Sequence, residues 1–159
     1  EEIDFEESIW NIPAERMKEK RGHFVPLSSQ SIDCLRQLQT ITGNGELLFP
    51  KRGTTKEPMS NSTILRVIER VGYKGRMTGH GFRSVASTIL NESGLFDFDA
   101  IERQLSHEDR NDVRAAYNRA KYMDERRRMM QWWADKVDSL ETPSQIVYLN
   151  NNECTGPGV

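Results

Sequence analysis

Between Thr78 and Gly94 lies the pattern that most restricts how this chain can fold. Phe82, Val85, Ala86, Ile89 and Leu90 recur at i, i+3, i+4, i+7 and i+8, which is the spacing of an amphipathic helix with a single apolar stripe. A helix of this length gains most of its stability from burying that stripe, so the rest of the chain must supply a surface for it. Asn91 and Gly94 suit its end. Thr78-Gly79 marks its start, where exposed N–H groups favour a phosphate. His80 and Arg83 fall off the stripe, within roughly 60° of each other on the helical wheel.

The neighbouring elements follow from caps and periodicity. Asp97 suits the N-cap of a short helix with Ile101 and Leu105 inward, closed by Ser106-His107. Asp109 or Asn111 suits the cap of the next, where Val113, Ala116 and Ala120 share a face with Tyr117. Upstream, Ser28 or Ser29 caps a helix carrying Ile32, Leu35, Leu38 and Ile41, stopped near Gly43. Ser60 or Asn61 caps another, with Ile64, Leu65, Val67, Ile68 and Val71 inward and Gly72 at its end. Asp124 is expected to cap a helix to about Leu140 that carries Arg126, Arg127 and Arg128 on one side, in water if the helix folds on its own core. Met129, Met130, Trp133, Val137 and Leu140 take its other faces.

The start of the chain reads as β structure. Ile3, Phe5, Ile9, Trp10 and Ile12 are its apolar positions, Pro13 interrupts, and His23-Phe24-Val25 resumes a strand ended by Pro26. A small antiparallel sheet with a basic turn results. The expected fold class is α+β, mainly α. Residues 1–140 form the domain, and 141–159, with Pro, Asn and Gly but no periodicity, form a flexible tail. There is no internal repeat.

With 159 residues the chain suits one domain with a real core. No apolar run is long enough to span a bilayer and no signal peptide is visible. Two cysteines, Cys34 and Cys154, are too few for a disulfide framework, so a reducing cytoplasm is the simpler compartment. Cys and His are too scattered for a zinc site. The net charge of −2 argues mildly against DNA binding, but a phosphate surface needs only a local positive field. Arg16, Lys18, Lys20 and Arg21 cluster in one loop, and Lys51, Arg52 and Lys56 in another. The acids gather at Glu1, Glu2, Asp4, Glu6 and Glu7. A single basic cluster is more often a solvated loop.

The side chains from His80 to Tyr117 suit phosphodiester chemistry. Arg83 offers a planar fork that matches two phosphate oxygens, and an imidazole at His80 or His107 can donate to another or shuttle a proton. Tyr117 is a poor nucleophile unless a cation and a proton acceptor stand near. If it attacks, the phosphotyrosine link retains the energy of the broken ester. No metal or cofactor is needed where cations stabilise the transition state. Taken singly, each residue has an ordinary reading: a solvated His-x-x-Arg pair, a core tyrosine, a histidine at a helix end.

The order His80-Gly81-Phe82-Arg83, Leu105-Ser106-His107 and Tyr117 resembles the tyrosine recombinase (phage integrase) family. Trp10 to Lys18, His23-Phe24-Val25-Pro26-Leu27 and Gln131-Trp132-Trp133-Ala134-Asp135 are similar to integrases of bacterial prophages and genomic islands, so the resemblance runs from about Ile3 to Leu140. It implies site-specific recombination of double-stranded DNA at attachment sites, in a four-subunit synapse, in the bacterial cytoplasm at the nucleoid. It also implies roles. Tyr117 forms a 3′-phosphotyrosine, Arg83 clamps the phosphate, His107 donates to it and His80 assists. Lys18, with Lys20 as the fallback, protonates the leaving 5′ oxygen. Arg16, Lys20, Arg21, Lys51, Arg52 and Lys56 would lie near DNA. The family's first arginine has no counterpart in Glu1 to Phe5, so the expectation is a cut chain, nearly inactive alone. After the tyrosine, family segments often dock on a neighbouring protomer. A non-catalytic DNA-binding module, a protein-interaction domain built on the Trp132-Trp133 helix, and a type IB topoisomerase are the alternatives.

Overall fold

The computed structural model describes residues 2–18, 20–106 and 122–141. Strands β1 (Ile3–Asp4), β2 (Ile9–Ile12) and β3 (His23–Pro26) form an antiparallel sheet in that order. Trp10 pairs with Ile3 on one side and Val25 on the other. Pro13 cannot donate to a ladder, and the chain leaves β2 there for a short 3-10 turn, Ala14–Arg16. Five helices follow among the described residues: α1 (Ser29–Thr42), α2 (Ser62–Arg70), α3 (Gly79–Ser93), α4 (Phe98–Gln104) and α5 (Met123–Glu141). The class is α+β, mainly helical, as expected. No helix among the described residues is long and apolar enough to cross a membrane.

The caps explain where the helices begin. Ser28, rather than Ser29, caps α1 by accepting from the Ser31 N–H. Thr78 does the same for Gly81 at 3.0 Å, and Asp97 for Asp99 at 2.8 Å. Gly94 ends α3 in the left-handed conformation, φ 63°, which glycine adopts without Cβ strain. At α2 the cap position is Asn61, but its side chain makes no capping bond; Ser60 Oγ accepts from the Ser62 N–H instead. Asp124 is not the cap of α5, because the helix already includes Met123; its carboxylate lies in the first turn, where it favours the helix dipole.

The core lies where α3, α4 and α5 meet. Leu90, Ile101, Leu105 and Met129 are buried together; Phe96 and Trp132 pack on them, and these two rings meet edge to face at 5.7 Å. Helix α5 touches β3, α1, α3 and α4, so it docks on its own chain. Its attachment to α1 is polar: Gln30 Nε2 donates to Asp135 and Asp138, and Gln131 Oε1 accepts from the Ser29 N–H. Those amide donors hold the Asp135 carboxyl below its usual range, Gln30 first and Gln131 second.

Several inward assignments are corrected. Ile41 is 78% exposed, Val71 63%, Phe82 55% and Val67 52%, and Ile64, Leu65 and Val85 are exposed too. In α2 only Ile68 is buried. Periodicity identifies an apolar face, but burial needs an opposing layer, and no element among the described residues packs broadly on α2. The three arginines of α5 do not share a solvated side either: Arg126 is 1% exposed, and Arg127 Nη1 donates to the Glu7 carbonyl at 2.7 Å.

Candidate active site

Helix α3 sets the geometry. Thr78 starts it, and His80 and Arg83 stand one turn apart on its flank. His80 is exposed and Arg83 half-buried. That combination leaves an imidazole open to a ligand on the same flank as a partly covered arginine. His107 and Tyr117 lie outside the described residues.

The basic loop between β2 and β3 comes next. Lys18 is exposed. Lys20, its fallback, has a left-handed backbone, φ 52°, and its Nζ donates to the Glu15 carbonyl at 3.5 Å. Arg21 is exposed. Arg16 pairs with Glu2, Nη1 reaching Oε1 at 2.6 Å. The Trp10 indole also donates to Glu2 at 3.1 Å. Trp10 first, then Arg16, hold the Glu2 carboxyl below its ordinary value. The field of Arg16 is thus partly neutralised within the sheet. In the second loop Lys51 pairs with Glu57 at 2.7 Å, while Arg52 and Lys56 are exposed. That loop is closed by a bridge between Pro50 and Pro58. Among the described residues no group of three or more His, Cys, Asp or Glu side chains comes together as a metal cage.

The structure adds two residues that periodicity did not single out. His23, at the start of β3, is held neutral, with its pKa lowered to about 4. Burial is the main cause, followed by the positive charge of Arg126; a backbone hydrogen bond at Gln104 opposes them, and Arg103 and Arg83 add smaller repulsions. Arg83 therefore acts electrostatically on the strand that follows the Lys18 loop. Arg126 is the second. Its Nε donates to Gln104 Oε1 at 2.8 Å and its Nη2 to the Phe24 carbonyl. Burial, then Arg103, lowers its pKa to about 10, so it stays charged at neutral pH. A signal for it exists: Tyr122, Arg126, Met129 and Trp133 follow a 4-3-4 spacing, which places the arginine on the buried stripe itself.

Residues 1–123 match the phage integrase family. The chain is 46% identical over 147 residues to the prophage integrase IntA of Escherichia coli (strain K12), covering 92% of this chain and 35% of that protein. It is 48% identical over 153 residues to the integrase of Enterobacteria phage P4, covering 87% and 35%. To the integrase of Shigella phage Sf6 it is 46% identical over 137 residues, covering 86% and 35%. The chain thus spans about a third of the length of these relatives. No solved structure matches it.

Proposed function

The chain belongs to the phage integrase family, and from that premise we propose that the full-length protein is a tyrosine-type site-specific recombinase of a prophage or genomic island. Tyr117 attacks a DNA phosphorus and forms a 3′-phosphotyrosine. Arg83 holds the non-bridging oxygens in its planar fork, and His107 donates to the same phosphate. His80 serves as proton acceptor or donor, and Lys18 protonates the leaving 5′ oxygen. Reversal of the step on an exchanged strand rejoins the DNA within a four-subunit synapse at two attachment sites. On this reading the fold is that of the DNA breaking-rejoining enzymes, residues 1–140 are part of the catalytic domain and 141–159 a tail. The setting is the bacterial cytoplasm at the nucleoid.

The observation that carries the proposal is the His80–Arg83 pair on the first two turns of α3, with the Lys18 loop leading into the strand on which Arg83 acts. Arg21, Arg52 and Lys56, exposed on two loops, supply the positive field that a DNA backbone needs. Arg16, Lys20, Arg21 and Lys51 have interactions within the fold and would have to exchange them for phosphate. These 159 residues include no stand-in, within Glu1 to Phe5, for the first arginine that the family resemblance implies. Loss of one such charge costs on the order of 100- to 1000-fold in rate, so they are expected to be nearly inactive by themselves.

A nicked suicide duplex, built from the junction DNA beside the gene, tests the reading in the full-length protein. A covalent adduct is expected that Tyr117→Phe abolishes while DNA affinity persists. Binding without an adduct would make the protein a DNA-binding module. Relaxation of a supercoiled plasmid lacking a second site would make it a topoisomerase of type IB. Absence of DNA binding at low salt would leave only a protein-interaction role.

A further inference from the structure

Outside the residues given roles above, the most constrained cluster lies where β3, α4 and α5 meet. His23 is hydrogen-bonded at the backbone of Gln104. The next strand residue, Phe24, offers its carbonyl to Arg126, and the same guanidinium donates to the Gln104 side chain. Gln104 is thus gripped at its backbone from the strand and at its amide from α5. The Nε2 atom of His23 is buried without a hydrogen-bond partner among the described residues. The charged groups that act on the ring come from three helices, Arg126 on α5, Arg103 on α4 and Arg83 on α3, and all are positive.

Such a site tolerates only a neutral imidazole. A proton on Nε2 would place a fourth positive charge beside three guanidinium groups, in a setting where burial already disfavours charge. His23 follows Lys18 by five positions, so the strand it anchors is the one that carries the lysine loop back to the domain. Arg126 holds the same strand one residue further on.

We propose that His23 is a positioning residue for DNA cleavage: as an uncharged strut it fastens the Lys18 loop to the Gln104–Arg126 node and keeps that loop in register with Arg83. The proposal rests on the recombinase reading. It separates two properties that a general loss of structure would reduce together. DNA affinity comes largely from cation–phosphate attraction and survives an added positive charge at position 23. Cleavage needs the lysine placed to within a fraction of an ångström and does not survive it.

The test compares His23→Gln, which is neutral and keeps an N–H donor, with His23→Lys in the full-length protein. Adduct formation is measured on the same suicide duplex, affinity on a duplex of unrelated sequence, and hydrogen exchange at the amides of β3 and α5. His23→Lys is expected to slow adduct formation about 100-fold, the scale of an ångström misplacement, with affinity unchanged or tighter. Its amides in β3 and α5 exchange faster. His23→Gln is expected to stay within about threefold of wild type in all three measurements, a difference of under 1 kcal/mol. Cleavage by His23→Lys at the wild-type rate, or an equal loss in His23→Gln, overturns the proposal. If His23→Lys unfolds, His23→Gln still decides, since a strut role requires it to cleave. If wild type forms no adduct, the recombinase reading falls and the cleavage role with it, while the exchange pattern still reports whether the node holds β3 to α5.

Discussion

Acid should weaken this fold through one identifiable side chain. Folded His23 stays neutral down to about pH 4, against an ordinary value of 6.5. Between those values the unfolded chain binds a proton at this position and the folded chain does not, so stability rises with pH across the window. Loss therefore begins as pH falls through 6.5 and is complete near 4. A gap of about 2.5 in pKa corresponds to about 3.4 kcal/mol at the limit. The residue is only half-buried, and solvent screening reduces that to about 1–2 kcal/mol. For a chain of 159 residues this is a fall in Tm of about 2–8 °C. The assay is thermal unfolding by circular dichroism from about pH 7.5 to about pH 4, on the wild-type chain and His23→Gln. Carboxylates titrate equally in both, so the difference between the two isolates His23. Wild type should lose stability relative to His23→Gln only inside the window. A difference that is independent of pH, or that grows in favour of wild type as pH falls, would show that His23 is not the source of the acid loss.

Burial and backbone geometry fix the expected outcomes of four further substitutions. Arg126→Ala removes a buried guanidinium and strands the Phe24 carbonyl and Gln104 amide; urea denaturation should show a loss of about 3–5 kcal/mol. Met129→Ala, in a fully buried side chain, should cost about 2–5 kcal/mol by the same measurement, whereas Ile41→Ala on the exposed end of α1 should stay within about 0.5 kcal/mol. Gly94→Ala places a Cβ on a residue at φ 63° and should lower stability by about 1 kcal/mol, although no atom lies near enough to clash.

Much of the local structure was legible from the chain alone, because its causes are local. Ser28, Thr78 and Asp97 cap helices through bonds to residues two or three positions on, and Gly94 ends α3 through its own backbone freedom. The strand His23–Pro26 and the break at Pro13 depend on the same short-range constraints. The His80–Arg83 pair was also visible, since a spacing of three on a helix fixes a common flank.

Burial was legible only in part. The periodicity that placed Leu90, Ile101 and Leu105 inside assigned Ile41, Val67, Val71 and Phe82 inward by the same rule, and they face solvent among the described residues. The difference lies in what stands opposite, which periodicity within one helix does not encode. Arg126 shows the converse. Charge pointed to water, but its position on the stripe of α5 and two distant acceptors, Gln104 and Phe24, take it inside.

Short-range rules along the chain therefore account for most of the described elements, several of their ends and the α+β class, and the residue order places the chain in its family. Packing between distant segments is what folds α5 back on its own chain, buries Arg126 and keeps His23 neutral in the field of three arginines. Caps and turns act over a few residues along the chain. The environment of His23 is assembled from side chains as many as 103 positions away, and only packing brings those charges close enough for their repulsion to matter.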